Sequence, residues 1–295
     1  IDGTTSLTYR PLNIYGIDEA SSGNLLLGNN SGNQTMIGEN NTLVGINSGN
    51  SMDEGDRNTF LGSNSGFTTQ DGNDNTFIGF SAGYNNLNAN NNTFVGSNVG
   101  IRNTSGSNNT YLGHNTGFDN TDGNNNTLIG DSSGYKLAGG DDNVMVGQGS
   151  GFNTTSGNRN VFLGGGSSSN VGAGFSNTTG NDNTYIGYQS GQSGTSSTDN
   201  VFVGKHTGYN NTASNNVAIG FASLFCNTTG TSNVAVGCRA LMCNITGNSN
   251  IAVGTDSIRS NTTGYNNTAI GHQALYCNTT GFYNTAGGHS SLNKN

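Results

Sequence analysis

The chain has 295 residues, a net charge of −8, 49 glycines, four cysteines and one proline, with 30% of its residues apolar and 9% charged. So few apolar residues cannot fill the core of a conventional globular domain of this length. The charge is dispersed, with no basic stripe or acidic run, which excludes a nucleic-acid or anionic-membrane surface. No stretch of eighteen apolar residues occurs, so no membrane span is expected. The start at Ile1, without a basic leader, reads as a processed product or an excerpt of a longer chain.

Residues 1–23 contain Arg10, Pro11, Asp18 and Glu19 and fit no repeat. They read as an N-terminal cap or assembly joint, because the open end of a repeat array leaves strand edges unpaired. From Asn24 to residue 295 the chain is a 17-residue unit written about sixteen times, as in NTFLGSNSGFTTQDGND from Asn58 and NTAIGHQALYCNTTGFY from Asn267. The first residue is always Asn and the fifth always Gly, from Gly28 to Gly288. A unit this short buries nothing alone. Stacked copies build a thin continuous core, which predicts an all-β parallel solenoid of about sixteen coils, about 75 Å tall at the usual strand spacing.

Within each unit, Asn-Thr-apolar-apolar before the glycine marks a short strand. A second extended stretch is expected around the small residue at position eight, followed by an Asn-Thr-Thr-Gly turn, giving two strands and two turns per coil. The Asn at position one is expected to stack into a ladder whose amides bond the coils above and below. About six extra residues enter between Gly164 and Asn177, and one is lost from the unit starting at Asn200. Both slips fall away from the strand, where a solenoid accommodates surface bulges.

Positions three and four are adjacent in a strand and point to opposite faces, yet both are apolar. One enters the coil's core, so the other needs a cover, and the simplest cover is another copy of the chain. The large aromatic residues Phe60, Phe77, Phe94, Tyr111, Phe162, Tyr185 and Phe202 are the candidates for that oligomer contact. Before about residue 210, position three is large and position nine is usually Gly. From Asn216 onward position three is Ala (Ala218, Ala235, Ala252, Ala269) and position nine is Leu or Ile (Leu224, Leu241, Ile258, Leu275). This exchange divides the array into Phe/Gly-type units over 24–215 and Ala/Leu-type units over 216–295, and predicts that positions three and nine share a packing layer.

Nothing in the pattern points to catalysis, a cofactor or a metal centre. His114, His206, His272 and His289 sit in different coils without a nucleophile beside them. GNDN at 72–75 and GGDDN at 139–143 are like calcium-binding loops but lack Asp recurring in register, which leaves calcium only at an isolated turn. Cys226, Cys238, Cys243 and Cys277 are disulfide candidates; Cys226 and Cys243 lie one period apart, at about 4.8 Å, within the Cα range of a disulfide. Reduced thiols in a ladder, or bonds between chains, are the alternatives. The sequons at Asn103, Asn153, Asn177, Asn227, Asn244, Asn261 and Asn278 recur in the turn before Gly, where a glycan is expected to fit.

The strands NVAIG from Asn216, NVAVG from Asn233, NIAVG from Asn250 and NTAIG from Asn267 resemble the head repeats of trimeric autotransporter adhesins, with an Asn-x-apolar-Ile/Val-Gly core. The array also resembles those of large surface proteins of other bacteria and of viral fibres. The resemblance covers residues 24–295, although this unit is longer than in the best-known adhesin heads. It implies a left-handed β-roll, a homotrimer, an extracellular or cell- or virion-surface location, and a host-cell receptor, surface receptor or glycan as partner. The expected function is therefore a structural or adhesive fibre segment. One alternative is a filament stacked end to end through residues 1–23. Another is an ice-binding solenoid, because Thr recurs at position two (Thr42, Thr59, Thr76, Thr93, Thr110, Thr127). Against that alternative, position two is expected to share a face with aliphatic position four and to turn inward.

Overall fold

The structure is a computed structural model describing residues 22–166 and 171–294. The expected cap or joint over 1–23 therefore lies almost wholly outside the described residues, and with it the end-to-end filament contact. Each coil supplies one three-residue strand, from β1 (Leu25–Leu27) to β16 (Thr285–Gly287). The strands stack in chain order into one 16-stranded parallel sheet. Register is one-to-one, with Thr59 beside Thr76, Phe60 beside Phe77 and Leu61 beside Ile78. The described residues contain no helix. The expected parallel β-solenoid is the fold.

The expectation of two strands per coil is corrected to one. The stretch after the glycine still pairs coil to coil: the Asn64 N–H donates to Ile46 O and the Gly66 N–H to Ala82 O, both at 2.9 Å. Its backbone is not extended, because positions seven and nine are left-handed, at φ +58° for Asn64 and +56° for Gly66. Left-handed residues alternate with ordinary ones, so the chain bends instead of running straight. The Asn at position seven of the early units (Asn30, Asn47, Asn64, Asn98, Asn115) was the unread signal, since Asn tolerates this region better than most non-glycine residues.

Position three forms the core. Phe60, Phe77, Phe94 and Tyr111 are fully buried and stacked, with ring centroids 4.7, 5.0 and 4.8 Å apart. Phe162, Tyr185 and Phe202 continue the column at 5.1 Å spacings. Each ring lies on its own coil's position nine: a Cβ on Gly83 would meet Phe77 Cε2 at 2.5 Å. In the later units Ala218 and Leu224 are both fully buried, with Leu224 at φ +52°. The predicted shared layer of positions three and nine is present within one chain.

Position one forms the expected amide ladder. The Asn143 N–H donates to Asn126 Oδ1 at 2.9 Å, its Nδ2 donates to Gly157 O at 2.8 Å, and its Oδ1 accepts the Asn160 N–H at 3.0 Å. All three asparagines are fully buried. Asn143→Ala leaves the Asn160 N–H and the Gly157 carbonyl without these partners in a buried column. The expected loss is about 3 kcal/mol, read from a denaturant midpoint.

Both register slips keep the ladder intact. After the insertion the Ala173 N–H donates to Gly164 O at 2.9 Å, the bond that Ser65 makes to Gly62 in an ordinary coil. The ring therefore closes at its usual bond and the next strand keeps its register, with Tyr185 beside Phe162. In the 16-residue unit Asn200 Nδ2 reaches Ala213 O at 3.0 Å, where Asn58 reaches Gly72 O at 2.8 Å, so the missing residue comes from the far turn.

Candidate functional site

The strand alternates in and out, and this decides which surface the chain presents. Position three is fully buried, so Phe60, Phe77, Phe94, Tyr111, Phe162, Tyr185 and Phe202 have no surface to offer a second chain. Their assignment as oligomer contacts is corrected: glycine at position nine makes room for the ring inside the coil. The residue facing out is position four. Leu61 and Leu112 are 47% exposed and Ile270 is 55% exposed. Position two lies on the same outer face, with Thr59, Thr93 and Thr110 exposed. The expected inward turn of position two is thus also corrected. The outer face of the sheet is two parallel columns, Thr or Val beside Ile, Val or Leu, repeated coil after coil.

The sequons are corrected in the same way. Asn103, Asn177, Asn227, Asn244 and Asn261 are fully buried and Asn278 is 2% exposed. They sit at position twelve, where Asn227, Asn244, Asn261 and Asn278 form a second amide ladder: Asn244 Nδ2 donates to Asn227 Oδ1 at 2.8 Å, and Asn261 Nδ2 to Asn244 Oδ1 at 2.7 Å, whereas Asn177, between Thr154 and Gly194, donates to Gly180 O of its own turn at 3.1 Å. Asn103 Nδ2 donates to Asn86 Oδ1 at 2.8 Å and caps its own turn at Gly106 O at 2.9 Å. A glycan on any of these buried side chains would break the hydrogen bonds its amide makes. Asn153, at position eleven, is half-buried and outside it.

A further column escaped the sequence reading. Position ten is aromatic in most units and half-buried, and its rings stack: Phe118, Tyr135, Phe152 and Phe175 follow at 5.0, 5.1 and 5.5 Å. Arg102 lies over Phe118 at 5.4 Å and Lys136 over Phe152 at 5.8 Å. At the junction of the two unit types, Tyr209 stacks on Phe225 at 4.9 Å and His206 packs against both. Burial, with Lys205 beside it, holds the His206 imidazole below its usual range. The signal was an aromatic recurrence at period 17, masked by the stronger one at position three.

Charged side chains pair one coil apart. Arg57 holds Asp74 by two bonds of 2.7 and 2.9 Å, which engages the acidic residue of the calcium-like GNDN turn. Arg159 holds Asp182 in the same way. Asp256 is the most enclosed carboxylate of these, 7% exposed at its side chain, with Arg239 at 2.8 Å and Arg259 at 3.5 Å. The Arg239 hydrogen bonds hold its carboxyl below the usual carboxylate range. A depressed folded-state value means that its stabilisation is present above the unfolded value of about 3.9 and is lost as pH falls through the folded one. Melting temperature is expected to drop on acidification below about pH 4, and Asp256→Asn to be less stable at neutral pH with a flatter acid limb.

The four cysteines are unbridged thiols, with Cys277 exposed and the other three half-buried. Among the described residues no three His, Cys, Asp or Glu side chains come together as a metal site, and no helix is long and apolar enough to cross a membrane. Compared with known protein families and with curated proteins, the chain matches none.

Proposed function

We propose that the chain is a rigid segment of an extracellular structural or adhesive fibre, in which copies of the same chain cover one another's outer sheet face. The observation that carries this reading is the position-four column. Half-exposed Ile, Val and Leu run from Val44 to Ile270 on one sheet, a longer continuous apolar row than a monomer's surface ordinarily leaves to water. A second copy has the same coil rise, so its column can match this one at every step. A partner without the 17-residue period can match it only locally. The resemblance to adhesin heads implies three copies about one axis, with a receptor or glycan bound elsewhere on the shaft. The test is Ile219→Glu with Val236→Glu, two outward positions on adjacent strands. The variant is expected to keep its β circular dichroism and lose association; an unchanged associated mass would overturn the reading.

A second reading has an observation of its own. Six consecutive units place Thr on the outer face, Thr42, Thr59, Thr76, Thr93, Thr110 and Thr127, each beside an aliphatic residue, at a regular spacing of about 4.8 Å. A regular hydroxyl and methyl array of this kind suits an ice surface. Thermal hysteresis from a monomeric chain would favour this reading; its absence leaves the face to the fibre contact.

A further inference from the structure

Cys226 and Cys243 occupy position eleven of consecutive coils. The Cys226 N–H donates to Met242 O at 2.9 Å and the Cys243 N–H to Arg259 O at 3.0 Å, so the two segments run parallel and in register. Side chains at this position converge across coils: Arg102 and Asp119, the equivalent pair nearer the N-terminus, meet at 2.8 Å. One coil rise of about 4.8 Å lies within the Cα separation of about 4.4–6.8 Å that a disulfide accepts. The remaining cysteines lack this geometry. Ser260 holds position eleven of the next coil, which puts Cys277 two rises, about 9.6 Å, from Cys243. Cys238 is at position six, after the strand, on a different part of the ring.

We propose that Cys226 and Cys243 form a reversible disulfide that staples two consecutive coils in the Ala/Leu-type half. The inference does not depend on the fibre reading, because position eleven lies outside the two columns of the outer sheet face. A low-molecular-weight disulfide such as oxidised glutathione is the oxidant. One protein thiolate attacks it, forming a mixed disulfide and releasing one glutathione thiolate. The second protein thiolate then attacks the cysteine sulfur of that mixed disulfide and expels the second glutathione. Two protein thiols are oxidised, one glutathione disulfide is reduced to two thiols, and the two protons pass to the products. Burial and the neighbouring Cys243 raise the Cys226 thiol above its usual range, so exchange is expected to quicken as pH rises.

The test equilibrates the native full chain, at low concentration, in glutathione buffers of increasing oxidation, followed by alkylation, intact mass and tandem mass spectrometry. The expected result is loss of two hydrogens, two alkylatable thiols among the four cysteines, and a Cys226–Cys243 cross-link within one chain. Cys238→Ser and Cys277→Ser keep the bond; Cys226→Ser and Cys243→Ser abolish it. Four alkylatable thiols in the most oxidising buffer would overturn the proposal. So would a bond mapped to Cys277, or disulfide-linked chains on a non-reducing gel.

Discussion

Replacing Gly220 with alanine is expected to open the solenoid at that coil, with a loss on the order of 4 kcal/mol or more. Gly220 ends the strand Val217–Ile219 at φ +125°, and a Cβ there would stand 2.7 Å from Gly237 O and 2.8 Å from its carbonyl carbon. The obstacle is the backbone of the next coil, so no side-chain rotation relieves it. Gly237 meets Gly254, and Gly254 meets Gly271, in the same way. The column of glycines is therefore a close backbone approach from each coil to the next. Gly287 is the control, since a Cβ there would have nothing within 4 Å; Gly287→Ala is expected to change stability by no more than about 0.5 kcal/mol. Because each coil contacts only its neighbours, the loss should appear first as faster amide exchange in the coils around Gly220.

Moving the boundary between the two unit types tests the coupling of positions three and nine. Phe202 is the last aromatic of its column and pairs with Ala218 of the following strand. Phe202→Ala is expected to lose about 3–5 kcal/mol, the cost of emptying a ring-sized space in a buried column. Gly208→Leu is expected to be at least as damaging, because a Cβ at Gly208 would meet Phe202 Cδ2 at 2.5 Å. The double variant converts this coil to the Ala/Leu type. It is expected to recover to within about 2 kcal/mol of the parent, the remainder reflecting a leucine in the left-handed region. Leu224 already adopts φ +52° and Ile258 φ +47° in the native chain, so the backbone accepts such residues. Additive losses in denaturant melts would show that the two positions do not share a layer.

The repeat made much of this fold legible before any coordinates. Asn at position one and Gly at position five recur without exception, and the structure uses them as an amide ladder and a close-approach column. The exchange between positions three and nine was readable because volume is conserved in a packed layer. The direction of the strand was not readable. Phe60 and Leu61 are both apolar, and only the glycine at position nine, lying under the ring, decides that Phe60 points inward. The same ambiguity sent the sequons outward: Asn-Thr-Thr-Gly has the composition of an exposed turn, yet Asn227 is buried because Asn244 supplies its partner. A polar residue repeated at the coil period is a ladder candidate wherever it falls in the unit, and position twelve repeats Asn over the runs 86–120 and 211–278.

Light scattering on the intact chain bears most directly on the covered outer face. With a chain mass of 30.2 kDa, the fibre reading predicts a discrete species of three chains that falls apart in the Ile219→Glu, Val236→Glu variant. A single-chain mass at working concentration would contradict it, leaving the position-four column bare in solution and the threonine array as the face's remaining use.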